Sequence, residues 1–388
     1  MPAAWRPGGA SHAPASVDTG IGRLLPSQGR RPGLTRNPIY FIIEYKQTRQ
    51  PALMTPETFP MPSRRDFLFT SAAVPLMGGL LPIAARAQQM PELARILCGF
   101  PPGGTSDAIS RRIAEKLRGN YAGNVLVENR PGAGGQIAVT ALRDSPANGS
   151  VMLLTPSSML SLYPYVYRSL PYKPMEDVKP VSLTCFFDHA FGVGPAVPES
   201  VRTVRDFIDW AKANRDKANY GSPGAGSAPH LIGNVLAKET GVDLRHVAYR
   251  GSAPGIQDLL GGQISAMSSP LGDYLPHVRG GRLRILATSG AQPSKLVQGV
   301  QTYKQQGFNI DIREWYGVFM PAQASADVIR RANTAIQQAL AQPDLAASMA
   351  EFGMEVQGST PERLVELLRR DSEDWGRIVK QIGFTPES

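Results

Sequence analysis

Three short stretches of this 388-residue chain carry the residue types that hold a small anion: FPPGGTSD at 100–107, ENRPGAGG at 128–135 and YGSPGAGSAPH at 220–230. Glycines such as Gly103, Gly104, Gly134, Gly135, Gly224 and Gly226 let backbone N–H groups converge on a ligand with no Cβ in the way. A helix that follows such a turn adds unpaired N–H donors and the positive end of its dipole. Thr105, Ser106, Ser157, Ser158, Ser222 and Ser227 can add hydroxyl donors, although Thr105 or Ser106 could equally start the helix before Ile109. Asp107 closes the first turn. No stretch ends in the Gly-Lys-Ser/Thr of a P-loop, and the third turn lacks the last glycine of a dinucleotide fingerprint. A compact carboxylate suits this chemistry better than a nucleotide phosphate.

Other candidates are single residues with two readings each. Arg250 could approach a carboxylate bidentately or point into solvent. Asp273, after Ser268-Ser269-Pro270, could face the cleft and pair with a ligand ammonium, or cap the helix from Tyr274. His230 near a helix start is open to a structural or a binding role, and Phe100 and Tyr249 could supply an aromatic wall. Enzyme signatures are missing: the sequence has no Gly-x-Ser-x-Gly and no His-Glu-x-x-His, and four histidines follow position 87. No catalytic residue, metal or cofactor is expected.

Those turns need strands and helices to place them. Leu93 to Cys98, Asn124 to Val127 and Ser150 to Leu154 have strand character, alternating with helices through Ile109, Ile113 and Leu117 and through 136–143. This βαβαβ series predicts parallel strands with right-handed crossovers. The alternation restarts at Val204 and runs to Ala287; after a strand at 313–320, helices over 326–340, 344–352 and 361–382 close the chain. Thr360-Pro361 predicts a capped start for the last helix. The expectation is two α/β lobes with a helical tail packed on the first.

Residues 63–87 have the form of an export signal: Arg64-Arg65, a short apolar run broken by Pro75, Gly78, Gly79 and Pro82, then Ala85-Arg86-Ala87. The Arg pair with Phe67-Leu68 behind it resembles a twin-arginine signal. Cleavage is expected near Ala87/Gln88, placing the protein in the periplasm. The Pro-, Gly- and Arg-rich 1–60 is expected to be disordered or an over-extended reading frame. The chain carries 41 basic and 32 acidic residues; ten and four of them precede Gln88, leaving 31 and 28. That near balance, without a nucleic-acid motif, argues against a nucleic-acid partner. Cys98 and Cys185 are expected to be buried free thiols.

From FPPGG-TSD through VENRPGAGG, LPYKP, YGSPGAGSAPHL, VAYRG, DLLGGQI, GRLRILATSG, Trp315-Tyr316-Gly317 and STPERL, residues 90–386 resemble the Bug-type receptors. These are the solute-binding proteins of the tripartite tricarboxylate transporter family. The resemblance implies an α/β, two-lobed periplasmic binding protein (Venus-flytrap) fold with a hinge and a helical C-terminal segment: 88–191 plus 312–388 as lobe 1, and 192–311 as lobe 2. It also implies a small carboxylate ligand held by the 100–107 turn with the second turn nearby. Across the cleft stand Ser222 to Ser227 and the Tyr249-Arg250-Gly251 turn. Membrane transporter subunits are the implied partners of a monomeric receptor; a sensor for a signalling partner, or a secreted hydrolase, is the alternative. Three departures from the family pattern are Pro102, Tyr163-Pro164 and the Asp188-His189 pair. The last could mark a specificity feature near the hinge; a surface pair at a strand start is the reading preferred from sequence.

Overall fold

A computed structural model describes residues 90–386. The leader and export-signal readings lie outside the described residues. The first part alternates as predicted: β1 (Leu93–Cys98), α1 (Thr105–Leu117), β2 (Asn124–Asn129), α2 (Gln136–Arg143) and β3 (Val151–Pro156), with β1 paired in parallel to both β2 and β3. Ile109, Ile113 and Leu117 form the buried stripe of α1, as their spacing of four requires. Two single-turn helices follow, α3 (Ser158–Ser161) and α4 (Tyr163–Val166).

The sequence reading puts strand character around Cys185 and a strand start at Asp188-His189 without joining them, whereas β4 (Val178–Val193) runs unbroken through both and is the longest strand among the described residues, at 16. Almost all of its residues are withdrawn from water, so it lacks the in-out alternation that marks a half-exposed strand. Beyond it come α5 (Val204–Ala213), β5 (Asn219–Ser222), α6 (Ala228–Thr240), β6 (Arg245–Ala248), α7 (Ser252–Leu260), β7 (Ala266–Pro270), α8 (Leu275–Val278) and β8 (Arg284–Thr288). In this second part β5 pairs in parallel with β6 and β7. The chain returns through β9 (Arg313–Pro321), α9 (Ala326–Leu340), α10 (Pro343–Ala350), β10 (Met354–Val356) and α11 (Pro361–Ile382). Thr360 caps α11, its hydroxyl accepting from the Arg363 N–H at 3.2 Å.

The strand order is β2-β1-β3-β9-β4-β7-β5-β6, with β8 and β10 also on β4. Val178 to Asp188 of β4 pair with β9, whereas His189 to Val193 pair with β7. One strand therefore belongs to both α/β lobes and crosses between them at Asp188-His189. Gly194 ends the crossing, where an added Cβ would stand 2.1 Å from the Leu259 carbonyl oxygen.

The last helix does more than cover the first lobe. At about 1.5 Å per residue its 22 residues reach roughly 33 Å. It packs on β4, α3 and α4 and also on α6 of the second lobe, burying Leu364, Leu368, Trp375 and Val379. Asp371 on its inner face accepts from Ser161 Oγ at 2.6 Å, and burial pushes its carboxyl up to about 6. Just beyond the helix, Phe384 meets His230 edge-on, and His230 stacks on His246 with ring centres 3.7 Å apart. Burial holds these imidazoles down, His230 at about 4 and His246 at about 3. Cys98 and Cys185 are free and buried, and burial raises both thiols, to about 11 and about 12.

Two predictions follow from this packing. Gly194→Ala forces Cβ into a backbone carbonyl, an overpacking of about 1–3 kcal/mol, and should lower the melting temperature by about 2–10 °C. An unchanged melting temperature would mean that the crossing is loosely held. The second concerns acid stability. Below pH 6.5 the unfolded chain takes up protons at His230 and His246 that the folded chain refuses until about pH 4, so these groups make stability rise with pH over that window. Asp371 works in the opposite sense: the folded chain keeps its proton up to about pH 6, while the unfolded one releases it from 3.8. Asp371→Asn should steepen the gain in urea midpoint between pH 4.5 and 6.5, and His246→Gln should flatten it.

Candidate functional site

Three helix N-termini open on one cavity between the lobes. Gly104, Thr105 and Ser106 bring the start of α1, Ser227 and Pro229 that of α6, and Ser252 that of α7. Each contributes the positive end of a dipole, roughly half a charge per helix, although at α6 Pro229 has no N–H and the His230 N–H is taken by Ser227 Oγ. No Lys or Arg lines the cavity; His189 and Glu314 are its charge-bearing side chains apart from the tyrosines. Phe100, Tyr163, Phe187 and Tyr316 supply aromatic wall. The cavity measures about 40 Å³, room for about three waters at ~10–15 Å³ each, so the lobes are drawn tightly together.

Asp273 does not cap its own helix. Its Oδ1 accepts from the Thr105 N–H at 2.9 Å and from Thr105 Oγ1 at 2.6 Å, and Ser269 Oγ donates to Oδ2 at 2.6 Å. A carboxylate from the second lobe thus satisfies the first orphan N–H of α1, a donor that the sequence reading offered to a ligand. Thr105 is likewise not a cap: Gly104 occupies that position without a side-chain bond. The next N–H groups in the turn are those of Ser106 and Asp107.

Asp107 shapes the first turn from behind. Its Oδ2 accepts from the Gly103 N–H at 3.1 Å and Arg111 Nε at 3.0 Å, and its Oδ1 accepts from Asn129 Nδ2 at 2.9 Å. Burial alone would raise its pKa, but these donors outweigh it and the carboxyl lies below its ordinary value. Gly103 takes φ +92°, which the turn requires.

The other sequence candidates divide into lining and supporting groups. Phe100, Ser158 and Ser227 line the cavity. Gly134 lies just behind Tyr163, whose hydroxyl donates to its carbonyl at 2.7 Å. Gly135 backs Met159 and Phe100, and Gly224 stands against Gly134 across the lobes. Ser157 is fully buried, its carbonyl accepting from Ser161 Oγ. Ser222 Oγ donates to the Gly224 carbonyl and meets His246 Nε2, while the Gly226 N–H donates to His230 Nδ1 at 2.9 Å. These bonds shape the third turn from inside. Gly251 donates its N–H to the Pro223 carbonyl, and an added Cβ would meet Pro101. Tyr249 directs its hydroxyl to Asp258, and Arg250 is exposed; neither is part of the cavity lining.

Two further groups sit on β4 and β9: His189, which the sequence reading left between a specificity feature and a surface pair, and Glu314, which it did not name. His189 is 1% exposed within β4, so the surface pair at a strand start is corrected: continuous pairing to β9, β7 and β8 buries it. Its Nε2 lies 2.9 Å from Glu314 Oε2, and Glu314, 3% exposed, accepts the Ser158 N–H through Oε1 at 3.0 Å. The wall continues through Phe187, edge-on to His189, to Tyr316 stacked upon it, whose hydroxyl meets Ser106 Oγ at 2.8 Å. Glu314 adjoins the Trp315-Tyr316-Gly317 stretch, and a carboxylate between Arg313 and the apolar remainder of the strand was the available signal. No group of three or more metal-ligating side chains occurs among the described residues, and none of their helices is long and apolar enough to cross a membrane.

Known proteins share both this sequence and this architecture. Residues 109–384 match the model of the tripartite tricarboxylate transporter family receptor. A UPF0065 protein from the tcbD–tcbE intergenic region of Pseudomonas sp. is 30% identical over 284 residues, 72% of this chain and 83% of its own. Protein BugT of Bordetella pertussis is 29% identical over 74% of this chain and 89% of its own. Among solved structures, periplasmic binding protein BugD is similar with a TM-score of 0.72 at 25% identity, covering 76% of this chain and 98% of its own. An R. palustris protein solved with adipate is similar with a TM-score of 0.72 at 26% identity and the same coverage. The two α/β lobes sharing one strand, the cavity between them and these likenesses agree: the chain belongs to the tripartite tricarboxylate transporter receptor family of solute-binding proteins.

Proposed function

We propose that this protein is a periplasmic receptor that closes on a small carboxylate-containing solute and presents it to a tripartite tricarboxylate-type membrane transporter. The observation that carries the reading is the convergence of three helix N-termini on a cavity whose wall holds no Lys or Arg. Such a site stabilises an anion with fixed backbone dipoles rather than a mobile cation. The R. palustris neighbour solved with adipate supports the carboxylate class.

The lobes are taken as 88–191 plus 312–388 and 192–311, which the pairing of β4 supports, since its partners change from β9 to β7 at His189. In the cycle, an open form admits the ligand, and closure brings α1 of one lobe against α6 and α7 of the other. The Asp273 to Thr105 bonds tie the lobes once closed. The ligand carboxylate uses the remaining first-turn N–H groups, Ser106 and Ser252, while Ser227 donates to the Gly224 carbonyl and Phe100 and Tyr163 exclude water. The protein reaches its compartment through the 61–87 signal, acts as a monomer and performs no catalysis.

The test is the melting temperature of protein beginning at Gln88 against carboxylates, their amides and neutral sugars. At a hundredfold excess over Kd, a ligand adds about 2.7 kcal/mol, or about 5–10 °C. Carboxylates alone should produce the shift. Gly104 has φ −89°, open to any residue, and its added Cβ would meet only Ser252 and Asp273 at ordinary distances. Gly104→Val should therefore abolish the shift while costing the unliganded protein only the poorer N-cap, about 1 kcal/mol or about 2–4 °C in melting temperature. A shift that survives this substitution would move the site elsewhere.

A further inference from the structure

We infer that the buried His189–Glu314 pair sets specificity, rejecting a second carboxylate and selecting a monocarboxylate whose far end bears a hydrogen-bond donor, hydroxyl or ammonium. The inference deepens the receptor reading and rests on it. Both side chains line the cavity and both are more than nine-tenths buried. An ionised carboxylate offers about four acceptor positions. Glu314 has two partners, the Ser158 N–H on Oε1 and His189 Nε2 on Oε2. Spare acceptor capacity on a desolvated carboxylate is costly until a donor meets it, and a ligand in this cavity is placed to provide one.

The charge balance points the same way. An ionised Glu314 only accepts, so Nε2 of His189 then carries the proton between them, and Nδ1 is left buried without a partner. With a neutral imidazole the pair bears one negative charge; with an imidazolium it bears none. Neither state leaves a net positive charge to receive a second carboxylate. Asp188 on the same strand, Asp371 on α11 and Asp273 on the turn after β7 add further acidic groups around this wall, and Arg313 is directed outward to Asp188 and Glu355. The positive helix ends lie on the α1, α6 and α7 side, so the ligand is read as a carboxylate at one end and a donor at the other.

Isothermal titration at neutral pH with four chain-matched acids decides the matter: the donor-tailed 4-hydroxybutyrate and 4-aminobutyrate, the methyl-tailed pentanoate and the carboxylate-tailed glutarate. The wild-type protein should bind a donor-tailed acid at least tenfold more tightly than the methyl- or carboxylate-tailed ones. In Glu314→Gln, an isostere that keeps an acceptor for the Ser158 N–H, that preference should shrink by at least tenfold and glutarate should gain. Glutarate equal to or tighter than the donor-tailed acids in the wild type would overturn the inference, and that comparison needs no variant to fold. An unchanged preference in folded Glu314→Gln would also overturn it. Failure of every carboxylate to bind folded wild-type protein would overturn the receptor reading itself.

Discussion

The structure depends on one strand. β4 is hydrogen-bonded along Val178 to Asp188 to β9 and along its last five residues to β7, with β8 and β10 also on it. A single extended segment therefore carries the pairing of both lobes, and the connection between them is made of ladder bonds rather than a free linker. Such a connection can twist but cannot slide without losing those bonds, which suits lobes that must return to the same closed register. Its burial on both faces also brings His189 to the junction, where side chains of the two lobes and the returning β9 meet.

The chemistry around that junction is a balance of fixed dipoles against buried acids. Three helix starts supply positive potential without a cation, and the protein spends part of it on its own Asp273, which draws the first turn of α1 to the second lobe. Carboxylates removed from water need several donors each. Asp107 has Gly103, Arg111 and Asn129, and Asp273 has Thr105 and Ser269. Glu314 is less fully supplied, and for that reason it is the group whose remaining demand a ligand can meet.

The alternating elements were legible because their patterns are local. Helix spacing at Ile109, Ile113 and Leu117, the cap at Thr360 and the glycine turns all report a few neighbouring residues. The 136–143, 326–340 and 361–382 helices appear with the boundaries read from sequence. The length and continuity of β4 were illegible because a strand buried on both faces carries no period, and β10 was because three residues carry too little pattern. Within the candidate site, Phe100, Gly104, Thr105, Ser106, Ser158 and Ser227 reach the cavity wall. Asp107, Ser222 and His230 instead hold the turns in shape, since the same donors and acceptors that suit a ligand also suit backbone.

By itself the sequence determined the class of fold and the backbone-rich character of the turns, because glycine content and apolar period are properties of short segments; the family was legible only as a resemblance carried by the order and spacing of motifs from FPPGG-TSD to STPERL. Tertiary structure alone decided which charges share a cavity. Thr105 and Asp273 are 168 residues apart, and His189 and Glu314 are 125 apart. Each pair exists only because β4 and its partners fold distant segments onto one junction, and in that low-dielectric setting the pairing, rather than either residue, fixes what the cavity can accept.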